Sequence, residues 1–209
     1  MALAAPLAPG VDVEAGLADP VRNSQRIFRT VLDAMAHPGR LETLPALVAG
    51  AVGLSPAATA ICLALVDFET PIWLDEVLAG PGLMAFLRFH TGAALADGAE
   101  TARFALLDGP STDLKSFHTG SDAYPEEGAT VIIQVPGLSD NGPLILSGPG
   151  IDGTRRFGAE GLPDSFWRER AIVNGGFPRG IDLILCAGHR IAALPRTTEV
   201  LLPGTEELR

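Results

Sequence analysis

Lysine is almost absent from this chain. Lys115 is the one lysine among 15 Lys plus Arg in 209 residues, and that scarcity excludes much chemistry. A Walker-type phosphate loop needs a Gly-Lys pair, and there is none. A pyridoxal phosphate enzyme needs a Schiff-base lysine, a role open here to Lys115 alone. Cysteine is nearly as rare: Cys62 and Cys186 each stand in an apolar run, with no C-x-x-C pair for a metal or a redox cycle. Both read as reduced core residues in a cytosolic setting. His-Glu-x-x-His and G-x-S-x-G are missing too, so no self-contained hydrolytic centre is announced.

Long apolar runs are also lacking. Residues 43 to 66 carry no charge, but Pro45, Gly50, Gly53 and the pair Ser55-Pro56 interrupt them. A helix starting at Pro56 has about eleven residues before Asp67, against the ~20 that span a bilayer, so a buried core helix is expected and no membrane contact. Met1 to Leu17 has neither a basic start nor a continuous apolar run and reads as a loose tail rather than a signal peptide. The net charge is −10, which excludes nucleic-acid binding by the chain as a whole. What the chain has in quantity is apolar surface: 47% hydrophobic residues and a mean hydropathy of +0.27. Burial between subunits accounts for such a composition, because assembled interfaces resemble cores.

Punctuation along the chain gives the elements. Asp19-Pro20 sets an N-cap and first position for a helix that ends at His37-Pro38-Gly39, with Val21, Phe28, Val31, Leu32 and Met35 as its apolar stripe. Its polar side carries Arg22, Gln25, Arg26 and Arg29, a basic stripe suited to solvent or to a docking partner. Ser55-Pro56 opens a second, fully apolar helix, and Gly82 to His90 a third; Asp164 caps a fourth that runs to about Val173. Strands are expected at 70–74, 103–107, 129–135 and 144–147. Gly180 to Cys186 and Ile191 to Leu194 are two apolar runs flanking the turn Ala187-Gly188-His189-Arg190, a hairpin closed by Pro195. The alternation predicts an α/β fold with a mixed sheet, residues 1–17 being the tail and 18–209 one domain.

Four groups could carry chemistry. Arg196 with Thr197 and Thr198, just past a strand end, suits an anion, since a guanidinium forks onto phosphate or carboxylate; capping of the strand end is the equal alternative. Arg88 and His90, at a helix C-terminus, either complement the dipole or hold an anion. Glu126, in the polar loop from Phe117 to Gly128, is an interface or acid/base candidate. Gly148-Pro149-Gly150-Ile151-Asp152-Gly153 fits G-x-G-x-x-G, but Pro149 removes an amide and no periodic helix follows, so it is read as a turn.

Several segments, in order along the chain, resemble the PhnH family of carbon–phosphorus lyase components. They are Pro20-Val21 through Gln25 and Phe28; Thr70 to Leu74; Leu87-Arg88-Phe89-His90-Thr91; Thr119-Gly120 with Pro125-Glu126 and Gly128-Ala129-Thr130; Leu146 to Ile151; and Phe177-Pro178 with Gly180 to Thr198. The resemblance implies a three-layer αβα fold similar to the large domain of pyridoxal phosphate transferases, but without the cofactor site and with no cofactor. It implies a homodimer that works with subunits G, I and J, and with subunit L for activity, where an alkylphosphonate is coupled to the ribose C1 of ATP and adenine leaves. From their own chemistry, Arg22, Gln25 and Glu126 are interface or loop candidates, and Arg196, Thr197, Arg88 and His90 are substrate or anion-binding candidates. Two other functions stay open: a stand-alone enzyme on a phosphorylated small molecule, and a degenerate pyridoxal phosphate enzyme built on Lys115.

Overall fold

A computed structural model describes residues 14–204 apart from 46, 47, 49, 111 and 112. Six strands form the main sheet in the order β1-β8-β7-β4-β3-β2. The parallel part is β2 (Ile72–Leu74), β3 (Phe104–Asp108), β4 (Thr130–Gln134) and β7 (Asp182–Ala187); β8 (Arg190–Leu194) and β1 (Glu42–Thr43) add antiparallel strands. Because this sheet is covered on both sides, the middles of its central strands β3, β4, β7 and β8 are apolar, as two-faced burial demands. Leu106, Ile132, Ile184, Ile191 and Ala193 point to one core; their neighbours Leu107, Val131, Ile133, Leu185 and Leu194 point to the other.

The first face is covered by α1 (Pro20–Ala36), α2 (Pro56–Leu65) and α3 (Pro81–Thr91). The N-caps fall where proline and its predecessor place them: the Asp19 carboxylate accepts from the Arg22 amide at 3.1 Å, and the Ser55 hydroxyl accepts from the Ala58 amide at 3.3 Å. The second face departs from the expected αβα layering. One helix, α4 (Asp164–Val173), shares it with a three-stranded antiparallel sheet of β6 (Arg155–Ala159), β5 (Leu138–Ser147) and β9 (Glu199–Leu201). Leu144, Leu146 and Phe157 from that sheet fill the core beside Phe166 and Trp167 of α4. The glycine-rich motif is a turn, with Gly148, Gly150 and Gly153 at positive φ, and it feeds strand β6 instead of a helix. At Gly150 a side chain would strike the Ala36 carbonyl at the end of α1, so this turn must be bare.

Two local expectations are corrected. On α1 the buried row is Asn23, Ile27, Val31 and Ala34, while Val21, Phe28 and Leu32 face outward. The helix carries two apolar rows, and periodicity cannot say which one meets the core. On α4, Pro163 is the N-cap and Asp164 occupies the first helical position. Of the expected tail, residues 1–13 lie outside the described residues; 14–17 pass beside α3, and Leu17 packs on the helix-side core. Among the described residues no helix is long and apolar enough to cross a membrane.

Candidate functional site

The amino ends of β4 and β7 form a dense polar junction around Arg196. Its backbone amide donates to Asp182 Oδ1 at 2.7 Å, Nη2 donates to Oδ2 at 2.6 Å, and Nε reaches Oδ1 at 3.3 Å. Nη1 donates to the Pro125 carbonyl and reaches toward that of Pro178. The fork that suits an external anion therefore grips the protein's own carboxylate, in an ion pair whose side chains are 13% and 16% exposed. Arg196 thereby ties the 117–128 loop to the stretch that runs from the cis Phe177–Pro178 peptide into β7. Close approach makes this possible, since Gly128 lies against both the Gly180 carbonyl and the Arg196 guanidinium. Thr197 sits with its carbonyl against Gly148, and Thr198 turns back through its amide to the Pro195 carbonyl at 2.9 Å.

A second arginine reinforces the same region from below. Arg170 of α4 is 2% exposed and donates to the carbonyls of Thr198, Leu194 and Pro195 at 2.9, 3.2 and 2.7 Å. Burial pushes its guanidinium down to about 10, and the nearby Asp182 carboxylate acts in the opposite direction. It braces the end of β8 and the turn beyond it from inside, sharing the Pro195 carbonyl with the Thr198 amide. Nothing in the sequence marks Arg170, which stands in the polar run Arg168-Glu169-Arg170 and looks like any solvated helix residue.

At the carboxyl ends of the parallel strands lies an open cavity of roughly 620 Å³ whose rim includes Ser55, Asp108, Gly109, Gln134 and Pro136. This end of an α/β sheet is where ligands commonly bind. Gln134 organises it: Oε1 accepts from the Ser55 amide at 2.6 Å, and Nε2 donates to the Gly53 carbonyl at 2.9 Å and to Asp108 at 3.4 Å. The early amides of α2 are otherwise spent, Ala57 on the Gly188 carbonyl and Ala58 on Ser55. The helix end is thus closed to an anion, and the cavity presents the exposed Asp108 carboxylate. Asp75, 1% exposed, accepts from the amides of Asp108 and Leu78 at 2.8 and 2.9 Å and fixes the rim.

The remaining candidates are dispersed. His90 Nε2 lies 2.8 Å from the Glu14 carbonyl, its ring tilted against Phe86 and perpendicular to Phe89, so it clasps the segment entering α1; Arg88 is exposed on the same helix, α3. Neither joins Arg196. Glu126 is exposed in a single helical turn, and it is its neighbour Glu127 that pairs with Arg103, at 3.4 Å. Lys115 is exposed in the turn from Leu114 to Ser116. That turn is docked on α4 through Glu169, whose carboxyl is held up by burial and then by its hydrogen bond with Asp113; the same bond, followed by the Lys115 amide, pulls Asp113 down. Gln25 and Arg22 lie on α1, Arg22 exposed beside Asp19 at 3.8 Å. No group of three or more His, Cys, Asp or Glu among the described residues is arranged to hold a metal ion.

Comparison with known proteins gives a concordant result. The family model described as "Bacterial phosphonate metabolism protein (PhnH)" matches residues 15–201. The chain is 36% identical over 185 residues to the "Alpha-D-ribose 1-methylphosphonate 5-triphosphate synthase subunit PhnH" of Rhizobium meliloti (strain 1021), covering 88% of this chain and 92% of that protein. It is 33% identical over 180 residues to the "Putative C-P lyase subunit protein HtxG" of Stutzerimonas stutzeri, covering 86% and 87% respectively.

Proposed function

The chain belongs to the PhnH family of bacterial phosphonate metabolism proteins, and on that premise we propose that it is a subunit of a carbon–phosphorus lyase assembly. Within that assembly it serves the coupling of an alkylphosphonate to the ribose C1 of ATP with release of adenine. The observation that carries this reading is the nearly end-to-end likeness to a protein named as a subunit of a ribose methylphosphonate triphosphate synthase. The proposed partners are a second copy of the chain and subunits G, I and J, with subunit L for activity. In this reading the chain acts within the assembly and not alone. Its fold is likened to the large domain of pyridoxal phosphate transferases without the cofactor site; the exposed turn position of Lys115 is compatible with that.

The outer row of α1 supports a docking role. Val21 is 82% exposed, Phe28 50% and Leu32 57%, with Gln25 between them and Arg22 and Arg29 alongside. Spacings of four, three and four put the row on one face, and apolar side chains grouped on a surface mark interaction sites. Glu126, exposed in its loop, is the other interface candidate. The test is co-expression with subunits G, I and J, affinity capture and sizing. A stoichiometric assembly is expected; a lone dimer that ignores these subunits would sink the subunit reading and favour a stand-alone enzyme.

A further inference from the structure

The basic face of α1 does more than meet solvent. Beside it an open cavity of roughly 690 Å³ is lined by Arg26, Arg29 and Thr30 of α1, Thr43 of β1, Leu44, and His189 of the β7–β8 turn. The pairing of β1 with β8 brings His189 and Thr43 to the helix, since the Leu44 amide donates to the His189 carbonyl at 2.9 Å. The groove is therefore assembled from three parts of the chain. No carboxylate lines it among the described residues.

The acidic residues of this face are already committed elsewhere. Asp19 pairs with Arg22, Asp33 with His37 and Arg40, and Glu42 with Arg40. Among the described residues no carboxylate pairs with Arg26 or Arg29. Two unneutralised guanidiniums on adjacent turns, in a chain of net charge −10, make a local positive site. The Thr30 hydroxyl gives its hydrogen to the Arg26 carbonyl at 3.1 Å, which leaves Thr43 and His189 as the further polar side chains lining the groove beside the two forks.

We propose that this groove binds the phosphoryl group of a small phosphorylated molecule. Residues three apart on a helix hold their Cβ atoms about 5–6 Å from each other, so both forks can close on one phosphate or on two linked ones. A single carboxylate cannot use that many donors, whereas a phosphate offers three oxygens and close to two charges. The cavity volume lies in the range of small-ligand sites, and an extended acidic polymer would need a longer basic track than two arginines. The binding is a property of the groove itself and does not require the assembly.

The test is calorimetric titration of inorganic tripolyphosphate into the purified full-length chain. One saturable site per chain is expected, weakening as salt rises from about 50 to about 200 mM. Arg26→Ala combined with Arg29→Ala is expected to weaken binding at least about tenfold with an unchanged melting temperature, because both side chains are exposed. Arg156→Ala, at an exposed position on β6, is expected to leave it unchanged. The proposal is overturned by an absence of saturable binding, or by a double variant that binds like the parent. It is also overturned if the double variant keeps tripolyphosphate but loses capture by subunits G, I and J, since the groove is then a protein interface. Failure of the parent chain to assemble with those subunits, with tripolyphosphate still bound, strikes only the subunit reading.

Discussion

Asp182 lies at the meeting point of two arginines, and the contrast between them is instructive. Arg196 holds it through a two-point fork, while Arg170 faces it from inside and spends its own donors on three backbone carbonyls. Removing one partner of such a pair leaves a charge largely out of water, which costs far more than the pair contributes net. Arg196→Ala is accordingly expected to lower the unfolding free energy by about 2–3 kcal/mol in urea titrations. Combining it with Asp182→Asn is expected to recover part of that loss; strictly additive losses would contradict the pairing. The two thiols offer a second residue-level check. Burial pushes Cys62 up to about 12 and moves Cys186 in the same direction, and both are fully enclosed. Native protein near pH 8 is expected to leave both unlabelled by a thiol reagent and to yield both in denaturant.

At the scale of elements, the packing of α4 against the 114–116 turn carries a pH dependence. The carboxyl of Glu169 is raised on folding, so its contribution is fully present below the unfolded value and fades as pH rises through the folded one. Asp113, lowered on folding, behaves oppositely and loses its contribution as pH falls. Glu169→Gln keeps a donor for Asp113 and removes the titration at 169. Its melting temperature relative to the parent is therefore expected to climb between about pH 4 and about pH 8; a flat difference would dismiss the coupling. Loop closure over the amino end of the sheet rests on a bare backbone. A side chain at Gly128 would run into the Gly180 carbonyl and crowd Arg196, whereas one at Gly175 meets nothing. Gly128→Ala is expected to destabilise by about 1–3 kcal/mol, the usual cost of overpacking, and Gly175→Ala by much less, as chemical denaturation can decide.

For the whole molecule, the high apolar content now has a location. The two cores take most of it, and the outer row of α1 leaves a remainder at the surface. If that row docks a partner, Phe28→Asp with Leu32→Asp is expected to abolish capture by the other subunits or by a second copy, while leaving the melting temperature within a few degrees. A large loss of stability without loss of capture would show instead that the row supports the fold.

Periodicity and punctuation made much of this legible. Asp19-Pro20 and Ser55-Pro56 start helices because a side-chain acceptor and a fixed φ act locally, and the strand–turn–strand from Asp182 to Leu194 declares itself by turn chemistry set between apolar runs. The family likeness lies in the sequence for the same reason, since it is a matter of residues in order. Tertiary structure alone decided the rest. Which apolar row of α1 meets the core, whether Arg196 finds Asp182 or an outside anion, why Arg170 is buried, and which arginines stay unneutralised all depend on residues far apart in the chain. β1, β6 and β9 escaped notice because none is a continuous apolar run, and each exists through its pairing with β8 or β5. Local propensity fixes where the chain turns; only packing fixes what each side chain meets.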